Sequence, residues 1–177
     1  MNLKRNISQP TAKSVLYNAL IQSNSQFTTF QQLPMVKDMP QEHAMMLFSS
    51  MKEERFYEND IIYTADTETT GKMYLILNGY VNVADVSGHH YGRLGSGCVF
   101  GLFSFLDDKR AHSATIQAET GVTALTLERS YFDLINLEDP KLAQHLMHFM
   151  FGLLSEKALK METEYAHIHQ YALGRKV

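Results

Sequence analysis

Between Phe100 and Ala118 the chain sets out the residues best suited to holding a small anion. Gly101 sits in the apolar turn Phe100-Gly101-Leu102-Phe103-Ser104-Phe105-Leu106. A glycine-bearing turn at the start of a short helix presents converging backbone N–H donors with no side chain in the way. The charged loop Asp107-Asp108-Lys109-Arg110 follows, and Ala111-His112-Ser113-Ala114 then leads into the run Thr115-Ile116-Gln117-Ala118. Ser113 offers a hydroxyl and an N–H, while Ala114 leaves room for a ligand. Arg110 and His112 are the candidate cations. An imidazole serves an anion only when protonated, a state the anion itself favours. Lys109 and Arg110 also read as solvated charges balanced by Asp107 and Asp108. The chemistry these residues suit is non-covalent recognition.

Other reactive side chains are placed poorly for catalysis or metal binding. The chain has no Ser-His-Asp order, nucleophile elbow, Walker loop or zinc signature, and we read it as non-enzymatic. His145 and His148 share a helix face as half of a metal site, and His167 and His169 lie farther along, but no neighbouring cysteine or carboxylate completes either pair. His89 and His90 point to opposite faces of a strand, as adjacent residues must. The single Cys98 has no partner for an intrachain disulfide and no adjacent base, so it reads as a small buried hydrophobe. No metal and no cofactor are expected.

These residues need a scaffold, and 177 residues with 45% apolar content suffice for one domain with its own core. No secretory leader opens the chain and no apolar run approaches the roughly 20 residues of a membrane span, so a soluble, cytoplasmic protein is expected. A net charge of −3 lacks the basic excess that nucleic-acid binding uses.

Hydrophobic periodicity divides the chain into three parts. Residues 1–30 are polar and mixed, with a short helix over 12–21 and breakers at Asn6-Ile7-Ser8-Gln9-Pro10 and Ser23-Asn24-Ser25-Gln26. A helix starts near Pro40 and carries Ala44, Leu47, Phe48 and Met51 on one face. Short β-like runs follow at 55–57, 61–64, 73–77, 80–86, 89–94, 113–118 and 122–127. Asn78-Gly79 and Ser87-Gly88 fit tight hairpin turns. The economical reading is an antiparallel β-barrel or jelly roll with flanking helices.

A short helix is predicted over 131–137, and Asp139-Pro140 supplies an N-cap and a first-turn proline for a long one over 140–171. At 1.5 Å per residue that helix runs on the order of 45 Å, longer than a small barrel. Its first half is apolar around much of its circumference. Its second half narrows to a seam of Ala158, Met161, Tyr165 and Ile168. This is the pattern of a helix leaving its own domain for a partner, and a homodimer or a partner protein is the expected occupant; packing on the N-terminal arm of the same chain fits the seam equally well.

The order helix, barrel, short helix, long helix across 31–171 resembles the cyclic-nucleotide-binding domain family, the catabolite-activator-like regulatory module. Three motifs carry the likeness. Leu33-Pro34-Met35-Val36-Lys37-Asp38-Met39-Pro40 is similar to the family's opening helix. Tyr57-Glu58-Asn59-Asp60-Ile61-Ile62-Tyr63, followed by Met73-Tyr74-Leu75-Ile76-Leu77-Asn78-Gly79-Tyr80-Val81, resembles its strand, turn and Met-Tyr-hydrophobic-Ile-x-x-Gly-x-Val pattern. The stretch from Phe100 resembles its phosphate-binding cassette, which runs Phe-Gly-Glu, an apolar turn, a variable loop, then Arg-x-Ala and a strand.

The resemblance implies an N-terminal arm over 1–30, a ligand-binding barrel with its short helices over 31–138, and a long C-terminal helix and tail over 139–177. It implies a cyclic nucleotide, cyclic AMP or cyclic GMP, at Gly101, Leu102, Phe103, Ser104, Arg110, His112, Ser113 and Ala114. Two positions depart from the family. Leu102 stands where a carboxylate accepts from the ribose 2′-hydroxyl, and His112 stands where a guanidinium faces the phosphate. A two-residue slip would put Arg110 there instead. Each lost charge-assisted hydrogen bond is worth roughly 1.5–3 kcal/mol, so losing both weakens binding by about two to four decades. A regulatory sensor with weak or altered ligand binding, signalling through the long helix, is one expectation. A ligand-independent dimerisation or interaction module on the same fold is the other. Family members that regulate DNA carry a helix-turn-helix after the long helix; only 172–177 follow it here, so direct DNA binding is not expected.

Overall fold

The computed structural model describes residues 19–34, 36–107 and 109–173. Two helices, α1 (Ser25–Gln31) and α2 (Gln41–Ser49), precede eight strands: β1 (Lys52–Phe56), β2 (Ile61–Tyr63), β3 (Lys72–Asn78), β4 (Val81–Ala84), β5 (His90–Leu94), β6 (Val99–Phe100), β7 (Thr115–Ala118) and β8 (Val122–Glu128). The short α3 (Leu102–Leu106) is inserted between β6 and β7, and α4 (Arg129–Glu138) and α5 (Pro140–Ala172) close the chain. The strands form two antiparallel four-stranded sheets, β1-β8-β3-β6 and β2-β7-β4-β5, the jelly roll expected from the sequence.

The continuous apolar run of β3 follows from its place between two cores. Met73, Leu75 and Leu77 point to a core shared with the helices, while Tyr74 and Ile76 point into the barrel. In register beside it, β8 does the same with Leu125 and Leu127 on the helix side and Val122 and Ala124 inside. Successive strand side chains alternate in direction, so a strand covered on both faces is apolar throughout.

The break expected at Ser23-Asn24 is present, since the helical stretch 19–22 ends there, and Asn24 also begins the next helix: its side chain accepts from the Gln26 N–H at 2.8 Å, capping α1. The same short polar side chain that interrupts a helix caps one when it precedes an apolar face. Phe27 and Phe30 of α1 are fully buried against Phe48 in the helix-side core. Asn78-Gly79 joins β3 to β4, which lie in different sheets, so it forms a corner and not a hairpin. The Ser87-Gly88 hairpin is present between paired β4 and β5, with Asp85 accepting from the N–H groups of Ser87 and His89. The helix expected over 12–21 lies largely outside the described residues, of which 19–22 are helical.

Asp139 caps α5 by accepting from the Leu142 N–H at 3.1 Å, with Pro140 in the first turn. The first half of α5 buries Ala143, Leu146, Phe149, Met150 and Leu153. From Ser155 to Leu173 every residue is exposed, including Met161, Tyr165, Ile168 and Tyr171.

Candidate ligand-binding site

The link between β6 and α3 is set by Gly101. Its φ is +76°, and a Cβ there would meet the Lys72 carbonyl oxygen at 2.6 Å, so only glycine fits. Just before it, the Phe100 ring stacks on Tyr74 at 4.7 Å, anchoring the turn to β3. Just after it, α3 closes with Phe105 N–H donating to the Gly101 carbonyl at 3.0 Å. The other end of α3 is held from α4, where Arg129 Nη1 donates to the carbonyls of Phe105 at 2.7 Å and Leu106 at 3.1 Å.

His112 locks this turn to the loop before β3. The Thr70 N–H donates to His112 Nε2 at 3.1 Å, so the neutral ring carries its proton on Nδ1, where it meets Ser104 Oγ at 3.2 Å. Ser104 Oγ in turn donates to the Gly101 carbonyl at 3.1 Å. The ring is 2% exposed and stacks on Tyr63 at 3.8 Å with an interplanar angle of 9°. Burial lowers the His112 pKa from its ordinary value, and an N–H on Nε2 would collide with the Thr70 donor. Burial likewise raises the Tyr63 pKa, with Tyr74 adding to the rise. Both rings are neutral near pH 7. Ser104 is no nucleophile in waiting, because the histidine beside it uses its only lone pair on the Thr70 N–H.

Gly101, Leu102, Phe103, Ser104, His112, Ser113 and Ala114 line one cleft of about 490 Å³. Arg110 is not among its lining; it is exposed on the loop and pairs with Asp107 at 3.5 Å. Leu102 is 4% exposed and joins the helix-side core. The cleft also takes Tyr63, Tyr91 and Arg93 from the second sheet, and Lys157 and Lys160 from α5. None of these five was singled out by the sequence. Lys157 and Lys160 leave one trace there, two like charges at i and i+3 on the narrow half of a helix.

A second cavity, about 340 Å³, lies between α2 and α5 and is lined by His43, His145, His148 and Glu156. The His43 and His145 rings are 3.7 Å apart. Among the described residues no group of three such side chains is placed to hold a metal ion.

Residues 53–135 match the family model of the cyclic nucleotide-binding domain. The fold is that of the same family. A cyclic nucleotide-binding domain from Methylobacillus flagellatus superposes with a TM-score of 0.66 at 20% identity, covering 90% of this chain and 86% of that one. The regulatory subunit of a cAMP-independent protein kinase A from Trypanosoma brucei gives 0.61 at 20% identity, over 89% of this chain and 53% of that one. The regulatory domain of Toxoplasma gondii protein kinase A, crystallised with cAMP, gives 0.59 at 16% identity, over 84% and 52%. The chain thus spans about half the length of those two kinase regulatory chains. No curated protein matches it. Among the described residues no helix is long and apolar enough to cross a membrane.

Proposed function

From a cyclic nucleotide-binding domain at residues 53–135, we propose that the chain is a non-catalytic regulatory sensor whose cleft binds cyclic nucleotides weakly or binds a related anion, and which signals through α5. The observation that carries this reading is the cleft itself. Seven of the eight positions implied by the family resemblance line it together, yet its two recognition positions hold a buried leucine and a neutral histidine engaged elsewhere. Leu102 has no acceptor for a ribose hydroxyl, and His112 has no charge for a phosphate. What the cassette itself leaves for a ligand is shape, aromatic surface, the exposed Ser113 and the backbone of the Gly101 turn, beside the cations that other elements bring to the cleft.

A route from cleft to output is supported by Arg129, which ties the carbonyl end of α3 to α4, whose last residue is followed directly by the Asp139 cap of α5. A shift of α3 on ligand binding would be carried to α5 through that guanidinium. The free Cys98 thiol fits a reducing, cytoplasmic setting, and the net charge of −3 supports a role without DNA contact.

The second reading, dimerisation independent of ligand, is favoured by one specific observation. Met161, Tyr165, Ile168 and Tyr171 are each at least 60% exposed on the projecting half of α5. Apolar side chains at this spacing are the seam of a helix pair. The two readings are compatible, since a dimer seam on α5 is also what a ligand-induced movement would act on.

Heteronuclear NMR titration with cyclic AMP and cyclic GMP tests the sensor reading. The expected result is a set of fast-exchange shifts confined to 101–104, 112–114 and α5. Spectra unchanged at millimolar ligand overturn it and leave the dimerisation module.

A further inference from the structure

Among the described residues, the cassette side of the cleft presents no free cation. His112 is neutral and bonded at both nitrogens, and Arg110 faces outward to Asp107. The charged side chains that do line the cleft come from elsewhere: the cations Arg93, Lys157 and Lys160, and one carboxylate, Glu164. Arg93 is committed, since its Nε donates to Glu119 at 2.6 Å and its guanidinium lies 3.7 Å over the Tyr80 ring. Lys160 has Glu164 at 3.8 Å, a long and exposed pairing.

Lys157 is different. Among the described residues it has no carboxylate within ion-pair distance, and its ammonium lies 5.0 Å over the ring of Phe103 on α3. Its pKa is lowered, first by partial burial of the stem, with Cys98 acting against the shift and the like charge of Lys160 adding to it. Lys157 and Lys160 stand at i and i+3 on one helix face, where like charges repel by a few tenths of a kcal/mol. An ammonium with no carboxylate partner, resting over an aromatic ring and beside a second ammonium, is the arrangement that an anion relieves. The cleft lining also holds the aromatic and aliphatic side chains Tyr63, Tyr91, Phe100 and Leu102.

We infer that the anionic group of the ligand is held from α5, by Lys157 with Lys160, and not from the cassette. The ligand class is a flat or apolar body carrying one phosphate-type or carboxylate-type anion at its α5 end. This deepens the proposed function and rests on it.

The test uses the full chain with two probes, cyclic AMP as a flat monoanion and adenosine as its neutral counterpart, read by NMR titration. Lys157→Met keeps the apolar stem over Phe103 and removes the charge. It is expected to weaken cyclic AMP binding at least tenfold, to leave adenosine binding unchanged, and to flatten the salt dependence of cyclic AMP binding; Lys157→Arg is expected to retain wild-type affinity. Cyclic AMP binding unaffected by Lys157→Met overturns the inference while the proposed function stands. Equal weakening toward both probes also overturns it, because the loss would then be one of packing. Wild-type protein that binds no cyclic AMP overturns the proposed function and this inference together.

Discussion

Ser104 Oγ lies 3.2 Å from His112 Nδ1, and this contact, with Thr70 N–H on the other ring nitrogen, makes His112 a structural brace of the cleft. An arginine cannot replace it there, because a guanidinium has donors only and would leave the Thr70 N–H facing another donor. His112→Ala removes one acceptor and one donor from a buried site, and about 1–3 kcal/mol of stability is expected to be lost for each group left unpaired. Urea unfolding measures it. Ser104→Ala should lose less, and the double variant less than the sum, because the two side chains share one hydrogen-bonded chain.

The same brace sets a pH dependence. The folded-state pKa of His112 is lowered by burial, so the unfolded chain binds a proton more readily than the folded one. Stability from this group is therefore full above the unfolded value of about 6.5 and falls as pH drops below it, by at most about 1.4 kcal/mol per pH unit for one proton. Urea midpoints taken from pH 7.5 down to pH 5 should decline in wild type, and the decline should be shallower in His112→Ala. Parallel declines in the two would mean that His112 does not carry the effect.

Leu102 gives a prediction about the sugar. With no carboxylate at this position and only 4% of the side chain exposed, the ribose 2′-hydroxyl has no acceptor from it. Cyclic AMP and 2′-deoxy cyclic AMP are expected to bind within about twofold of each other. A discrimination of tenfold, or about 1.4 kcal/mol, would mean that another group reads the hydroxyl.

Much of this was legible in the sequence, for reasons that differ between elements. The run Met73–Leu77 reads as a strand and Asp139-Pro140 as the start of a capped helix, because both signals are local. The two-residue β6 carries no periodicity to detect. Asn24 and Asn78-Gly79 were visible as punctuation, but whether a polar residue caps or breaks, and whether a glycine turn joins paired strands or two sheets, is decided by what packs around them. The cassette residues that line the cleft are close together in sequence, which makes them legible as a group, while Arg110 of the same stretch lies outside it. Lys157 and Lys160 were missed because their place at the cleft depends on how a helix far along the chain crosses a barrel.

The exposed seam of α5 is expected to pair two copies of the chain. Ile168→Glu places a charge at an apolar position that is 67% exposed, so the folded monomer should tolerate it while the seam does not. Light scattering should give a dimer for wild type and a monomer for the variant. A wild-type monomer would leave the seam to another protein or to the N-terminal arm.

A ligand in the cleft is expected to change the state of α5, which hydrogen–deuterium exchange of the full chain with and without millimolar cyclic AMP would reveal. The expected result is greater protection in 101–106 and in 155–164, where α5 borders the cleft, with the strands of the first sheet unchanged. Protection confined to the cassette, or none anywhere, would contradict the claim.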